Sequence, residues 1–207
     1  MAVKLYHCAA SRSIRPLWTL EEMGLDYELE LMAFPPRFAQ PGYTDINPIG
    51  TVPFFVDGDV QMTESVGISQ YLVDKFGPTN LAVKPTEKAY GDYLNWLHRS
   101  DATLTFPQTI VLRFTLLEPD ESLKRVADEY TKWFFSRLRS VETALSDGRE
   151  FLCADRFTLA DICVGFALYL ADSVLGLGEG FKPHTQAYYA RLRERPAFQR
   201  AIAHDQQ

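Results

Sequence analysis

Cysteine is scarce in this chain of 207 residues, with three in all: Cys8, Cys153 and Cys163. So sparse and odd a set excludes a disulfide framework and fits a reducing compartment. The four histidines show no paired Cys/His spacing, so no metal site is expected. Gly and Pro number 12 each, too few for a collagen-like or low-complexity chain. No apolar run reaches the length of about 18 residues that suggests a membrane span. Lys and Arg are outnumbered by Asp and Glu, 21 to 27, for a net charge of −6. With no dense basic cluster, nucleic-acid binding is disfavoured. The start of the chain lacks the order of a signal peptide, and its end carries no lipidation signal. A cytoplasmic protein with neither nucleic-acid nor membrane partner is the expectation.

What is present suits an ordinary globular protein: 46% hydrophobic and 23% charged residues, enough to bury roughly 70% of the unfolded surface. Two textures divide the chain, and the domains are expected at residues 1–81 and 87–207. The join falls at Leu81-Ala-Val-Lys-Pro-Thr86, after the stop signal Gly77-Pro78. In the first region Val3 to His7 and Tyr27 to Leu31 alternate as strands do. Between them Ile14 to Met23 reads as a helix, with Pro16 in its first turn and Gly24 at its C-terminal cap. Pro35 to Gly50, with four prolines and two glycines, reads as irregular. Pro53 to Val56, Asp57-Gly58 and Asp59 to Met62 form a hairpin signal. A helix from Val66 to Phe76 follows, opened by Thr63-Glu-Ser65. The early β-α-β requires a parallel pair and the hairpin an antiparallel one. A mixed four-stranded sheet flanked by helices results, the thioredoxin-type arrangement.

From about residue 86 only helical periodicity remains. Long helices are expected over Tyr90 to Leu117 and Leu123 to Leu145. Thr158-Leu-Ala-Asp161 resembles a capping box with Asp in place of Glu. The apolar run Ile162 to Leu170 that it opens predicts a helix buried on most sides. A last amphipathic helix, His184 to Arg193, closes at Arg195-Pro196.

Chemistry can sit at three places. Cys8 ends the first strand just before the first helix, with Arg12 and Arg15 nearby. A helix N-terminus can stabilise a thiolate there, or Cys8 can simply be a small buried hydrophobe. Ser11 and Ser13 share the turn, as helix caps or as donors to a thiolate. At Thr51-Val52-Pro53 a cis bond before Pro53 would turn the Val52 backbone outward, ready to pair with an extended peptide; a trans proline at a strand start is the ordinary alternative. Glu64 and Ser65 begin a helix, as dipole and cap, or as a site where a ligand carboxylate meets N–H groups and Glu64 meets an ammonium. Together these features suggest a site for a short thiol peptide with a free amino-acid end.

The segment Asn47-Pro-Ile-Gly-Thr-Val-Pro53, followed by Glu64-Ser65-Val-Gly-Ile-Ser-Gln-Tyr-Leu72, resembles the glutathione transferase signature. Ser11-Arg-Ser-Ile-Arg15 with Leu20 to Tyr27, Phe157 to Ile162, and Arg195-Pro-Ala-Phe198 extend the likeness over nearly the whole chain. The resemblance implies an α/β thioredoxin-like glutathione-binding domain plus an all-α domain, commonly as a homodimer, with glutathione as co-substrate and a detoxification role. It implies that Val52, beside a cis Pro53, pairs with the cysteinyl part of glutathione. Glu64 and Ser65 would hold the γ-glutamyl end, and Gln40 or Arg37 the glycyl carboxylate. The catalytic position is expected at Cys8, as in omega-like members, with Ser11 as second choice.

Two chemistries then fit. The protein lowers the glutathione thiol pKa so that the thiolate attacks an electrophilic small molecule. A drop of about two from about 8.5 is worth about 2.7 kcal/mol. Alternatively Cys8 forms a mixed disulfide with glutathione in a monothiol cycle, since Ser11 stands where a second Cys would be needed. A non-catalytic glutathione-binding module is a third reading. The electrophile is expected between the domains, against Trp96, Phe106, Phe114 and Tyr169, with His98, Arg99 and Thr103 as polar contacts.

Overall fold

The computed structural model describes residues 3–206. Strand β1 (Val3–His7) alternates buried and half-buried side chains, as a strand between a core face and a partly covered face must. It pairs in parallel with β2 (Tyr27–Leu31), Leu5 opposite Leu29. On its other side it runs antiparallel to β3 (Phe54–Asp57), Leu5 opposite Phe55. β3 returns through a tight turn, with Gly58 at φ +60°, into β4 (Val60–Met62). The sheet order is β2-β1-β3-β4, the mixed arrangement that the hairpin and crossover signals predict.

Helix α1 (Ile14–Met23) makes the β1-to-β2 crossover, and Gly24 ends it in the left-handed conformation, its N–H donating to the Leu20 carbonyl. Only a residue that tolerates positive φ ends a helix this way without steric cost. The 35–50 stretch is not wholly irregular. It holds two single-turn helices, α2 (Pro36–Ala39) and α3 (Tyr43–Ile46). Pro36 sits in the first turn of α2, where its missing N–H has no helical partner to lose. Helix α4 (Ser65–Lys75) follows the hairpin and packs beside α1.

The second set of elements is helical throughout. The expected long helix from Tyr90 is divided into α5 (Tyr90–His98), wide π-type turns at Arg99–Thr105, α6 (Phe106–Leu112) and further wide turns to Leu117. Pro107 lies in the first turn of α6; it has no N–H for the ordinary ladder, and a widened turn absorbs the break. Helices α7 (Lys124–Leu145), α8 (Leu159–Tyr169) and α9 (Pro183–Arg193) complete the set. Every residue from Leu159 to Leu168 is buried, which accounts for the continuous hydrophobicity of that run. No helix among the described residues is long and apolar enough to cross a membrane.

Two compact units result: Met1–Ala82 with Arg193–Gln207, and Val83–Leu192. The second domain expected over 87–207 differs from this division at its end, where 193–207 group with the first unit. Pro196 does not stop the chain's helical character but begins α10 (Pro196–Ala203). This helix packs on α1: Phe198 meets Trp18 edge-on at 4.7 Å between ring centroids. Arg195 pairs with Glu22 at 2.6 Å and Arg200 with Glu21 at 2.5 Å. Burying an aromatic pair worth about 0.5–1.5 kcal/mol beyond its area holds the tail to the first unit.

The start of α8 carries a full capping box. The Thr158 N–H donates to Asp161 Oδ2 at 2.8 Å and the Ala160 N–H to Thr158 Oγ1 at 3.3 Å. The other carboxylate oxygen accepts from the Leu152 N–H at 3.0 Å and the Tyr188 hydroxyl at 2.8 Å. Burial pushes the Asp161 pKa up to about 6, against these donors, which favour the charged form. Asp161→Asn keeps the shape but turns an amide against donors. The lost cap and mismatched donor are expected to cost about 2–4 kcal/mol, a fall of about 5–15 °C in Tm, read by thermal denaturation.

Candidate active site

The turn from Cys8 to Ser13 joins β1 to α1. Cys8 is fully buried in a cluster with Met32, Tyr43 and Phe54, against which Tyr6 and Val52 pack. Its sulfur faces the Ala33 carbonyl at 3.7 Å. Burial pushes its thiol pKa up to about 11. Its burial and its raised pKa both run against the activated thiolate expected at Cys8. The helix starts at Ile14, and a dipole falls off within its first turn, so Cys8 gains no stabilisation from it. Cys153 is buried with its pKa likewise raised to about 11 by burial, and Cys163 lies in the core of α8.

Ser11 is half-buried at the open end of the same turn. Its hydroxyl lies 2.8 Å from the Cys8 carbonyl and 2.6 Å from Ser13 Oγ. Ser13 occupies the cap position of α1 but makes no side-chain cap bond. Its hydroxyl is turned instead toward His7 Nδ1, at 2.6 Å. The capping alternative for Ser13 is therefore not what the fold uses.

The loop before β3 is held from beneath. Asn47 Nδ2 and the Tyr43 hydroxyl each donate to the Thr51 carbonyl at 2.8 Å, and Asn47 Oδ1 accepts from the Ile49 N–H at 3.2 Å. The Val52–Pro53 bond is cis, with Pro53 buried and Val52 half-buried. Gly50, at φ +66°, leaves room for the Arg37 side chain, whose Cβ lies 2.8 Å from where a glycine Cβ would stand. Arg37 is thus packed against this loop. The Gln40 side chain is exposed at the end of α2.

At the next helix start, Glu64 is exposed in the cap position of α4 with extended backbone and no side-chain cap bond. Ser65 is buried, and its Oγ accepts from Arg15 Nη1 at 2.9 Å. Arg15 is itself fully buried. A guanidinium is seldom buried unless paired. Its presence here ties α1 to the first turn of α4 and adds positive charge behind the N–H groups of that turn. A recess of about 440 Å³, lined by Asn47, Ile49, Phe54, Gln61 and Glu64 among others, opens alongside.

The first unit thus brings Cys8, Val52, Tyr43 and Phe54 into one cluster and joins Ser65 to Arg15. Sequence reading placed Arg15 only as charge near Cys8 and passed over Tyr43, His7 and Asp205. The signal for Arg15 was a charged residue on the apolar face of an otherwise buried helix. Asp205 offered none, being 198 positions from its partner His7. Of the aromatics expected to wall an electrophile site, Trp96 is core, with Arg99 over its ring at 4.7 Å. Phe114 and Tyr169 are half-buried, and Phe106 is 47% exposed with its ring against Tyr130.

A thioredoxin-like sheet unit followed by an all-helical unit, with the Asn-Pro loop and the Glu-Ser helix start in the first, defines the class. Residues 1–74 match the family description "Glutathione S-transferase, N-terminal domain" and residues 107–196 match "Glutathione S-transferase, C-terminal domain". The chain is 30% identical to a glutathione S-transferase of Hyoscyamus muticus across 100% of both chains. It is 31% identical to one of Triticum aestivum, covering 95% of this chain and 91% of that one. Among solved structures it is similar to a glutathione transferase of Methylococcus capsulatus, with a TM-score of 0.84, 27% identity and 99% of each chain covered. It is also similar to one of Phanerochaete chrysosporium solved with oxidized glutathione, with a TM-score of 0.85, 26% identity and 99% and 96% coverage. The chain belongs to the glutathione transferase family and is a transferase enzyme.

With all three thiols buried and two of them raised to about 11, alkylation of the native protein by iodoacetamide at pH 7 is expected to be slow at every cysteine. Cys8→Ala is expected to cost stability on the order of 1 kcal/mol and to leave turnover close to wild type. Rapid labelling of Cys8, mapped by mass spectrometry, is the contrary result.

Proposed function

We propose that this chain binds glutathione in its first unit and activates the glutathione thiol for attack on an electrophilic small molecule. The observation that carries the reading is the start of α4. Ser65 is buried and held by Arg15 at 2.9 Å, beside an exposed Glu64 and a helix end without a side-chain cap. Unpaired N–H groups, a hydroxyl and a buried cation suit the carboxylate of an amino-acid end, and the Glu64 carboxylate suits its ammonium. The backbone of Val52, on a loop fixed by Asn47 and Tyr43, would pair with the cysteinyl portion. Arg37, packed against Gly50, suits the glycyl carboxylate better than Gln40 does.

Ser11 is the hydroxyl assigned to the thiol. A hydrogen bond from it, together with the positive end of α1, favours the thiolate. Lowering the pKa by about two from about 8.5 makes the thiolate the main species at neutral pH, for about 2.7 kcal/mol. The monothiol route through Cys8 is not favoured, because its sulfur would have to leave the core and ionise from a pKa of about 11. A non-catalytic module is not favoured either, since transferases are what its relatives are named. A homodimer, a cytoplasmic location and a part in detoxification belong to the same proposal.

Glu64→Ala combined with Ser65→Ala is expected to abolish retention on immobilised glutathione while the protein stays folded by circular dichroism. Undiminished retention would refute the assigned site. Ser11→Ala is expected to keep glutathione affinity and to lower the conjugation rate roughly 10²-fold, the scale of losing one anion-stabilising donor, read with an aryl halide.

A further inference from the structure

A continuous hydrogen-bonded chain runs from Ser11 into the interior of the first unit. Ser11 Oγ lies 2.6 Å from Ser13 Oγ, Ser13 Oγ lies 2.6 Å from His7 Nδ1, and His7 Nε2 lies 2.8 Å from Asp205 Oδ1. His7 and Ser13 are fully buried. The second Asp205 oxygen accepts from the Ala10 N–H at 2.8 Å. Ala10 stands at φ +53°, a conformation uncommon for a residue other than glycine. The tail carboxylate thus holds both the imidazole and the bend of the turn that presents Ser11.

The direction of the chain follows from its end. A carboxylate only accepts, so Nε2 carries a hydrogen toward Asp205, and in the Nε2–H tautomer Nδ1 offers a lone pair. Ser13 O–H then donates to Nδ1, and Ser13 Oγ accepts from Ser11. The Ser11 hydrogen has two acceptors, Ser13 Oγ and the Cys8 carbonyl, both within the protein. In this state Ser11 Oγ also accepts from the Ser13 N–H at 3.3 Å, so it keeps one lone pair that suits a thiol S–H and has no hydrogen to offer a thiolate.

Resting on the assignment of Ser11 to the glutathione thiol, we propose that His7 receives the thiol proton through Ser11 and Ser13, with Asp205 fixing its tautomer. The S–H proton passes to Ser11 Oγ, the Ser11 hydrogen to Ser13 Oγ, and the Ser13 hydrogen to His7 Nδ1. The sulfur keeps the electron pair of the broken S–H bond. Each hydroxyl has lost one hydrogen and gained one. The products are a thiolate accepting from Ser11 O–H and an imidazolium paired with Asp205. Once the product has left, the proton returns along the same path and passes from Ser11 to water. Of the other charged groups on the elements around the imidazole, Lys4 of β1 pairs with Glu28 and Glu30 of β2, Arg15 of α1 donates to Ser65, Glu21 and Glu22 of α1 pair with Arg200 and Arg195, Arg12 lies in the turn before α1, and His204 of the tail has its Nε2 3.5 Å from the Tyr27 hydroxyl. His7 and Asp205 are positioning residues, since neither touches the sulfur.

Asp205→Asn tests this. An amide that keeps its oxygen on the Ala10 N–H donates to Nε2, moves the imidazole hydrogen to Nδ1 and leaves no lone pair to receive a proton. Bound glutathione is titrated by the ultraviolet absorbance of its thiolate, and the imidazole is followed by ¹⁵N NMR. In the wild type, saturating glutathione is expected to convert His7 from the Nε2–H form to imidazolium. In Asp205→Asn the pKa of the bound thiol is expected to rise by about one, a tenfold loss of thiolate at neutral pH. KM for glutathione should stay within about twofold, because uniform binding is untouched, and the rate should recover at alkaline pH. His7→Gln should behave alike where it folds. An unchanged thiol pKa in Asp205→Asn, or an imidazole that stays neutral under glutathione, overturns the relay alone. A wild type that forms no bound thiolate overturns the proposed function and the relay with it.

Discussion

The bond from Arg15 to Ser65 is the constraint on which the first unit depends. A guanidinium without solvent costs several kcal/mol unless its hydrogens are placed, so the helix carrying Arg15 and the helix beginning at Ser65 must sit where that donor and acceptor meet, 2.9 Å apart. Their positions follow from chain order. α1 crosses between two parallel strands, and α4 returns from a hairpin on the far edge of the sheet. One buried cation therefore sets both the packing of two helices and the polarity of the helix end where an anionic group is best received.

Around that fixed pair, the turn and the loop are held by different means. The loop before β3 hangs on a single carbonyl, that of Thr51, which takes two donors from Asn47 and Tyr43. The turn before α1 hangs on the chain's tail, whose carboxylate reaches both Ala10 and His7. The tail is there because Phe198 is buried against Trp18 and two arginines pair with Glu21 and Glu22. Apolar burial that looks purely structural thus delivers a charge to the back of the candidate site.

Cys8 shows how position in a motif and position in space can part. A cysteine between a strand and a helix has the sequence context of a reactive thiol. Reactivity, however, needs a nearby positive charge or helix end and access to solvent. Cys8 has an aromatic cluster and a backbone carbonyl instead. The hydroxyl three residues on, at Ser11, is half-buried where Cys8 is fully buried.

The strands, α1, its glycine cap, the hairpin and the capping box at Thr158 were legible in the sequence because each is a local matter of periodicity, turn chemistry or spacing. The Asn-Pro loop and the Glu-Ser helix start were legible as a resemblance for the same reason, being short contiguous motifs. The short helices within residues 35–50, the wide turns around Pro107 and the helix after Pro196 were not, because Pro36, Pro107 and Pro196 stand in first turns, where proline begins a helix as readily as it ends one. The burial of Cys8, the pairing of Arg15 with Ser65 and the union of His7 with Asp205 belong to the tertiary structure alone. No pattern along the chain encodes a contact between residues 198 positions apart; it exists only once the sheet is formed and the last helix has packed on α1.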